Sequence, residues 1–476
     1  MKRLLQDHWP IFLLSNISSL TNLLLPLVLV RILNPSEIGV YKTFFLYLTV
    51  LPFLALAGGP VHSVYYWIGL EEKESDQYIK TSWLVTVFLS SFILLIGLPL
   101  APLLHEKFHL TLPVFIMLLV SGFLVCPSGH FPEACIARGK KAYGAFLSVL
   151  FELLKTAGFI LLAWWYREIE YLFSYFFLMM ILSFILMTYL GLKNNALTFR
   201  IDKAKFKEIL KYSLPMSLAS ALHFVIEKSD LLILSSTLSS EMFAYYSLGC
   251  LIIPPLFILD MSVQKVMLPK ISQSFRLKRN DDIKREFKKG VSDIAYLMIP
   301  SFFGLVFFAP QIVELLYTKD YAHSALYLQI FAFSYLLMIF PHDAILRGTG
   351  KTQTVLKISL ILAPLALISA YFLSLTYGAG PALIATLVIK ATAKGFCLKA
   401  SGEMIGKKIY EMIPLRRIME FTLVASCLTL LSYSVKPYFE NKLEWFLITA
   451  PLFALFYIGY FQRPAFKRAL DKIRTS

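Results

Sequence analysis

Apolar runs of about twenty residues recur from one end of this chain to the other, and each is long enough to cross a hydrocarbon core ~30 Å thick. In hydrocarbon a backbone has no water to bond, so its N–H and C=O groups must satisfy one another, and runs of this length do so as α-helices. An all-α polytopic membrane protein is therefore expected. Composition agrees: 57% of the 476 residues are hydrophobic and only 16% are charged, against about 25% charged in a soluble chain.

Hydropathy places about fourteen spans, near residues 10–30, 40–68, 81–101, 112–134, 143–165, 171–191, 213–237, 243–267, 291–309, 324–345, 354–376, 381–404, 418–435 and 445–461. The N-terminal segment, the even-numbered loops and the C-terminal tail hold 32 of the 46 Lys and Arg residues. The odd-numbered loops hold only Arg31, Lys107, Arg167, Lys319, Lys436 and Lys442. Basic loops stay in the cytoplasm, so both termini and the even loops are expected there. The net charge of +16 follows this alternation and does not gather on one domain, which argues against a nucleic-acid partner. Cys126, Cys135, Cys250, Cys397 and Cys427 all fall in apolar segments without metal-ligand spacing, so free buried thiols and no metal are expected. Residues 9–30 form a full span followed by Arg31, with no small-residue cleavage site, so no cleaved signal peptide is expected.

Two cytoplasmic loops are long and basic. Residues 200–211 put Ile201, Phe206, Ile209 and Leu210 near one another with lysines elsewhere, the pattern of a helix lying in the interface. Residues 270–290 are similar and more charged; for both, a solvated linker carrying inside-positive charge is the plainer alternative.

The first twelve spans fall into six plus six. Pro10 corresponds to Pro215, and Glu37-Ile38-Gly39-Val40-Tyr41 corresponds to Glu241-Met242-Phe243-Ala244-Tyr245. Ala134 to Lys141, carrying Arg138 and Gly139, corresponds to Ala344 to Lys351, carrying Arg347 and Gly348. Six is even, so the halves share one orientation, an arrangement that transporters use with a site between bundles. The expected organisation is a bundle over 1–192, a basic amphipathic linker over 193–212, a second bundle over 213–406, and two further spans with a basic tail over 407–476. Gly348-Thr349-Gly350-Lys351-Thr352 lacks the four-residue spacer of a phosphate loop and reads as a tight turn.

These motifs carry a resemblance. Arg31-Ile-Leu-Asn-Pro-Ser-Glu-Ile-Gly-Val-Tyr41, Leu268-Pro269-Lys270-Ile271-Ser272 and Arg347-Gly-Thr-Gly-Lys351 resemble bacterial polysaccharide (O-antigen) flippases of the multidrug/oligosaccharidyl-lipid/polysaccharide exporter superfamily. The resemblance covers the first twelve spans, and two extra C-terminal spans suit its lipid-linked branches. It implies paired six-helix bundles in the bacterial cytoplasmic (inner) membrane that move an undecaprenyl-diphosphate-linked oligosaccharide to the outer leaflet. It also implies contact with membrane lipids and with other polysaccharide assembly proteins. The arginine-rich first two spans of a lipid II flippase are missing here, where the first span has a neutral interior and ends in the single Arg31.

Ionisable groups inside spans are costly and usually face a cavity or a partner. A carrier for a diphosphate needs cations, and the candidates are Lys390, Lys394, Lys155, Lys228, Lys42 and Arg31. Lys390 and Lys394 share a helix face, with Lys390 ~13 Å in from the outer end of its span. A substrate role and an inter-helix ion pair are both open for them. Glu152 lies three residues before Lys155 and could simply neutralise it, and snorkelling accounts for Lys42. Glu227 and Asp230, sharing a face of a regular helix ~21 Å from its cytoplasmic end, are candidates with Glu152 for coupling to Na⁺ or H⁺. Salt bridges to neighbouring lysines are the alternative. Arg138, Arg347, Asp260 and Asp343, together with His130, Glu133 and His342, lie near cytoplasmic ends and are candidate gate contacts. Gly58-Gly59-Pro60, just before His62, is expected to break the second span.

Three function classes follow. A lipid-linked oligosaccharide flippase leads, with no cofactor beyond a coupling ion. A drug or small-metabolite exporter on the same fold is second. A membrane glycosyltransferase or polymerase is third, because the longest external loop offers only Glu314, Asp320 and His323 and no nucleophile–base or metal constellation.

Overall fold

A computed structural model describes residues 21, 24–67 and 71–474, and it is helical throughout, with no strand among the described residues. The chain divides into two compact units, Met1–Ala244 and Tyr245–Ser476. The first expected span, with Pro10, lies mostly outside the described residues; residues 24–29, its last turns, are helical.

In unit 1 the helices are α1 (Pro35–Leu54), α2 (Gly58–Trp67), α3 (Glu72–Leu104), α4 (Leu112–Ala137), α5 (Lys141–Tyr166), α6 (Ile169–Lys193) and α7 (Lys203–Thr237). The Asn34-Pro35-Ser36-Glu37 motif is a helix start. Asn34 Oδ1 accepts from the Glu37 N–H at 2.9 Å and Glu37 Oε2 accepts from the Asn34 N–H at 3.0 Å, with Pro35 at the first helical position. The second expected span is two helices. Its break falls just ahead of the glycine pair, at Leu56, whose φ of +54° is the left-handed region and costs a non-glycine residue energy. α4 is the hub of the unit, packing against α1, α2, α3, α5 and α6.

The basic segment 200–211, read as either an interfacial helix or a solvated linker, does not form a separate helix. Asp202 caps α7 by accepting from Ala204 and Lys205 N–H, and the helix runs from there through Pro215 into the seventh span. The reason is burial: Ile209 is fully enclosed with Trp67, Tyr78, Val85 and Leu89, and Phe206 and Leu210 pack on the same cluster. Protein encloses Ile209 and partly covers Phe206 and Leu210, while Ile201 stays exposed. Along its length α7 is fastened to α1, α2 and α3 by Tyr78 Oη donating to Glu208 (2.5 Å), Tyr66 stacked on Tyr212, Phe53 stacked on Phe224, and Tyr47 Oη bonded to Ser235 Oγ (3.0 Å).

The next helix, α8 (Ser240–Gly249), opens on Ser239, whose hydroxyl accepts from Met242 N–H at 3.4 Å. The rest of the chain forms α9 (Pro254–Arg276), α10 (Asn280–Phe307), α11 (Ala309–Tyr317), α12 (Ser324–Phe331), α13 (Phe333–Met338), α14 (Ala344–Gly348), α15 (Thr352–Tyr377), α16 (Ala379–Ile405), α17 (Ile409–Met412), α18 (Leu415–Ser434) and α19 (Lys442–Arg474). The repeat seen in the sequence has a backbone counterpart. α4 and α14 both end on a left-handed glycine, Gly139 (φ +82°) and Gly350 (φ +77°). In each, the following lysine N–H reaches back to close the turn, Lys140 to Cys135 O at 2.9 Å and Lys351 to Leu346 O at 2.8 Å. The glycine–lysine run is thus a helix stop and not a phosphate loop.

Among the described residues eleven helices are long and apolar enough to span a membrane, and twelve spans result if the pair α8 and α9, bent by 54°, counts as one. The tenth expected span is three short pieces, α12, α13 and α14, interrupted at Pro341, which cannot donate to a helix ladder. With the first span outside the described residues, a count of fourteen is not established. All five cysteines are free; Cys427 on α18 is exposed, where burial was expected, because α18 packs chiefly on α10 and α19 and leaves its other side uncovered.

At the α8–α9 bend residues 250–253 belong to neither helix, although the Cys250 N–H still bonds Tyr246 O at 3.1 Å and the Ile253 carbonyl accepts from Phe257 N–H at 3.3 Å. Tyr335 on α13 compensates: its hydroxyl donates to Leu251 O at 2.9 Å and accepts from Ile253 N–H at 3.0 Å. Tyr335→Phe should therefore lower stability by about 1–3 kcal/mol for each group left unsatisfied and speed thiol labelling of Cys250. Thermal unfolding in detergent, with a variant whose only cysteine is Cys250, measures both.

Candidate functional site

Three helix-turn pairs meet inside unit 2. α9 presents Asp260 and Gln264, and the stretch around α14 presents Asp343 and Arg347, each pair four residues apart and so on one face. α16 presents Lys390 and Lys394 in the same way. Arg347 Nε lies 3.0 Å from Asp343 Oδ2, and an Arg347 terminal nitrogen donates to Gln264 Oε1 at 2.7 Å. Gln264 Nε2 donates to both oxygens of Asp260, at 3.0 Å each. Asp260 is buried, with Lys394, Asp343 and Arg347 in electrostatic reach.

The broken tenth span supplies the rest. Where the helix is interrupted before Pro341, the Phe340 carbonyl is available, and Lys394 Nζ donates to it at 3.4 Å. Lys394 Nζ also lies 3.1 Å from His342 Nδ1. An ammonium only donates, so Nδ1 is the acceptor in that contact. Lys390, one turn from Lys394, is 7% exposed. The arrangement gathers cations and carboxylates inside a membrane protein, and such cations can meet a phosphate through charge-assisted hydrogen bonds.

The expected site residues thus sort unevenly. Asp260, Asp343, Arg347 and Lys394, read from sequence as gate and cavity separately, form one network. Gln264 and the Phe340 carbonyl belong to it and were not singled out; the spacing of four after Asp260 and the proline at 341 were the available signals. In unit 1 Lys155 is ion-paired with Glu152, as its spacing allowed, and sits over the Phe45 ring at 5.8 Å. Arg138 binds Asp76 at 2.6 Å, tying the end of α4 to α3. Glu133 accepts from the Tyr65 hydroxyl, and His130 is fully buried against Ser82 Oγ at 2.7 Å. Lys42 is half-buried on α1, and Arg31, exposed, donates to the Leu27 carbonyl. Lys228 has non-helical angles (φ −131°, ψ 16°), so α7 kinks inside the Glu227–Asp230 run. The shared face expected for Glu227 and Asp230 assumed a regular helix, and the helix is not regular there. Asp230 is buried and Glu227 half-buried.

Outside the membrane, two ion pairs tie the segment after α16 to the start of α10. Lys407 Nζ lies 2.8 Å from Asp281 and Lys284 Nζ 3.2 Å from Glu411. Hydrogen bonding to Lys284 holds the Glu411 carboxyl below its ordinary range, and Asp281 raises Lys407. The signs follow: both pairs contribute above the ordinary carboxyl value and are lost in acid as pH falls through the lowered values of Glu411 and Asp281, and the Lys407 pair is lost also in strong alkali as pH rises through the raised value of Lys407. A nitroxide at position 410 should be immobile at neutral pH, loosen in acid as the Glu411 and Asp281 carboxyls take up protons, and loosen again in strong alkali as the lysines lose theirs. Equal mobility in Glu411→Gln at neutral pH would show that the pair does not hold the segment.

Many apolar helices, spans broken at polar positions and charged groups gathered at the breaks define a multi-pass membrane protein of transporter type. The family model described as Polysaccharide biosynthesis protein matches residues 28–326. The chain belongs to that family. It is 25% identical over 401 residues to the capsular polysaccharide biosynthesis protein CapF of Staphylococcus aureus, covering 79% of this chain and 94% of that one. In fold it is similar to the lipid II flippase MurJ in an inward closed conformation, with a TM-score of 0.75 and 16% identity over 96% of this chain and 99% of that one. It is also similar to an inward-facing multidrug resistance MATE family transporter, with a TM-score of 0.60 and 15% identity over 82% and 94%. Identities this low speak to the fold alone.

Proposed function

We propose that the protein is a flippase that carries an undecaprenyl-diphosphate-linked oligosaccharide from the cytoplasmic to the outer leaflet by alternating access. The observation that carries the reading is a set of cations in unit 2 of a protein from a polysaccharide biosynthesis family: Lys394 and Arg347 in the network, and buried Lys390 one turn from Lys394. A diphosphate stripped of water needs such groups, and a neutral drug does not. The substrate's sugars are then surface-glycan repeats, made on the inner face by other assembly proteins. This places the chain in the bacterial cytoplasmic membrane with both termini inside, and its two six-span halves as the moving bodies. Coupling to Na⁺ or H⁺ would use buried carboxylates, with Glu227 and Asp230 at the α7 kink and Glu152 as the candidates in unit 1.

The test is reconstitution. Purified protein in vesicles should expose a fluorescent isoprenyl-diphosphate-linked saccharide to a membrane-impermeant quencher faster than empty vesicles do. Exposure at the rate of empty vesicles would overturn the reading. The fold is also that of drug exporters, so dye efflux from the same vesicles with no lipid-linked saccharide transport would favour the second reading.

A further inference from the structure

The Gln264 amide has only one workable orientation. A guanidinium donates and never accepts, so its 2.7 Å contact must be with the Gln264 carbonyl oxygen. The amide nitrogen is thereby turned to Asp260, where it meets both oxygens at 3.0 Å. Both oxygens act as acceptors, which suits an ionised carboxylate. A proton on Asp260 turns one of those acceptors into a donor facing an NH₂ group. A half-turn of the amide relieves the conflict by presenting Oε1 to the new hydroxyl. The same half-turn takes the acceptor away from Arg347, which keeps only Asp343 at 3.0 Å. Arg347 is the accessible member of the network, with 41% of its side chain exposed.

We infer that Gln264 is a hydrogen-bond switch through which a proton bound at Asp260 releases Arg347 to an anionic group of the substrate. This rests on the transport reading for the identity of the substrate, but not for the proton site itself. The charged groups around Asp260 are Arg347 and Asp343 from the α14 stretch and Lys394 from α16, which in turn contacts His342. From α10, Glu286, Lys289 and Asp293 line a cleft of about 270 Å³ with Ser262, Val263 and Lys270 of α9. Lys265, on α9 itself, is exposed. By reciprocity, the proton and the diphosphate bind together and each tightens the other. A proton that accompanies the substrate also lowers the net charge taken through the low-dielectric interior.

Binding of farnesyl diphosphate to the purified full-length protein, measured at pH 8 and pH 6, tests the switch. Wild type should bind more tightly at the lower pH, by roughly 5–150-fold after subtraction of the pH dependence of Asp260→Asn, which has no proton site. Gln264→Met should bind at pH 8 as tightly as wild type does at pH 6, because Arg347 is then never held by the amide. Retention of the wild-type pH dependence in Asp260→Asn would place the proton elsewhere, at His342 or on the probe, and overturn the proposal. Retention in Gln264→Met would mean that the Asp260 hydroxyl finds another acceptor and that the amide is not the switch. Infrared difference spectra between the two pH values need no ligand. A protonated-carboxyl band should appear in wild type and Gln264→Met but not in Asp260→Asn, with a Gln264 amide shift in wild type only. Those bands without diphosphate binding would retain the switch and reject the flippase reading. Diphosphate binding without the bands would do the reverse.

Discussion

Replacing Lys390 and Lys394 together by Ala is expected to reduce surface-glycan export about 10²- to 10⁴-fold while the protein still reaches the membrane. A charge-assisted hydrogen bond contributes about 1.5–3 kcal/mol, and two lost from a desolvated diphosphate amount to about 3–6 kcal/mol, with each ~1.4 kcal/mol a factor of ten. Lys394 also binds the Phe340 carbonyl and lies against His342 Nδ1, so Lys394→Ala loosens the broken tenth span and lowers the unfolding midpoint as well. Lys390, buried on the same face, should lose export too. Lys390→Met keeps the side-chain bulk without the charge and separates the two effects. Export measured by surface-glycan labelling, normalised to membrane-embedded protein, is the readout. Undiminished export in the double variant would remove both lysines from the mechanism.

The second large effect is expected at Gly39. A Cβ there would lie 1.7 Å from the Ser240 carbonyl oxygen and 2.9 Å from Ser240 Cα. Those are backbone atoms, which cannot rotate away, so Gly39→Ala must separate α1 from the α7–α8 turn. Overpacking of this kind costs about 1–3 kcal/mol and sometimes more, and Gly39 should stand at the upper end. Gly59 is the comparison. Its Cβ would meet the Ser217 hydroxyl at 2.0 Å, a side chain that can turn, and the Ser213 carbonyl at 2.8 Å. Gly59→Ala should therefore destabilise less, and Ser217→Gly should recover part of its loss but none of the loss at Gly39. Unfolding midpoints of the four variants in detergent decide this. Equal losses at the two glycines would mean that the backbone contact is not what distinguishes them.

The Gly39 contact also shows how far one sequence could be read. The Glu37-Ile-Gly-Val-Tyr41 run stood out as a motif, and its start has a local cause, the Asn34–Glu37 capping box. Its glycine has none: Gly39 is required by Ser240, some two hundred residues away. Linear spacing reports contacts within a helix and is silent about contacts between helices. The α7 extension is similar. The amphipathic pattern at 200–211 was legible, but lipid and protein are equally apolar partners, and only Ile209 enclosed with Trp67 and Tyr78 decided between them.

The candidate site divides along the same line. Sequence picked out Lys394, Arg347, Asp260 and Asp343 because a charge inside an apolar run is rare and costly. It could not join them, since they come from α9, the α14 stretch and α16. It passed over Gln264, whose side chain carries no charge and matters only through the two groups on either side of it.

By itself, then, the sequence determined the class of the protein: an all-helical, multi-pass membrane chain with a basic-loop asymmetry and a repeat whose helix stops recur at Gly139 and Gly350. These are consequences of local composition, because hydrophobic length, charge placement and capping act over a few turns of chain. Only the tertiary structure decided that α7 kinks at Lys228, that protein encloses Ile209 at its basic start, and that two carboxylates, an amide and two cations meet inside unit 2. Those outcomes depend on which distant groups become neighbours, and packing, not any single segment, sets that.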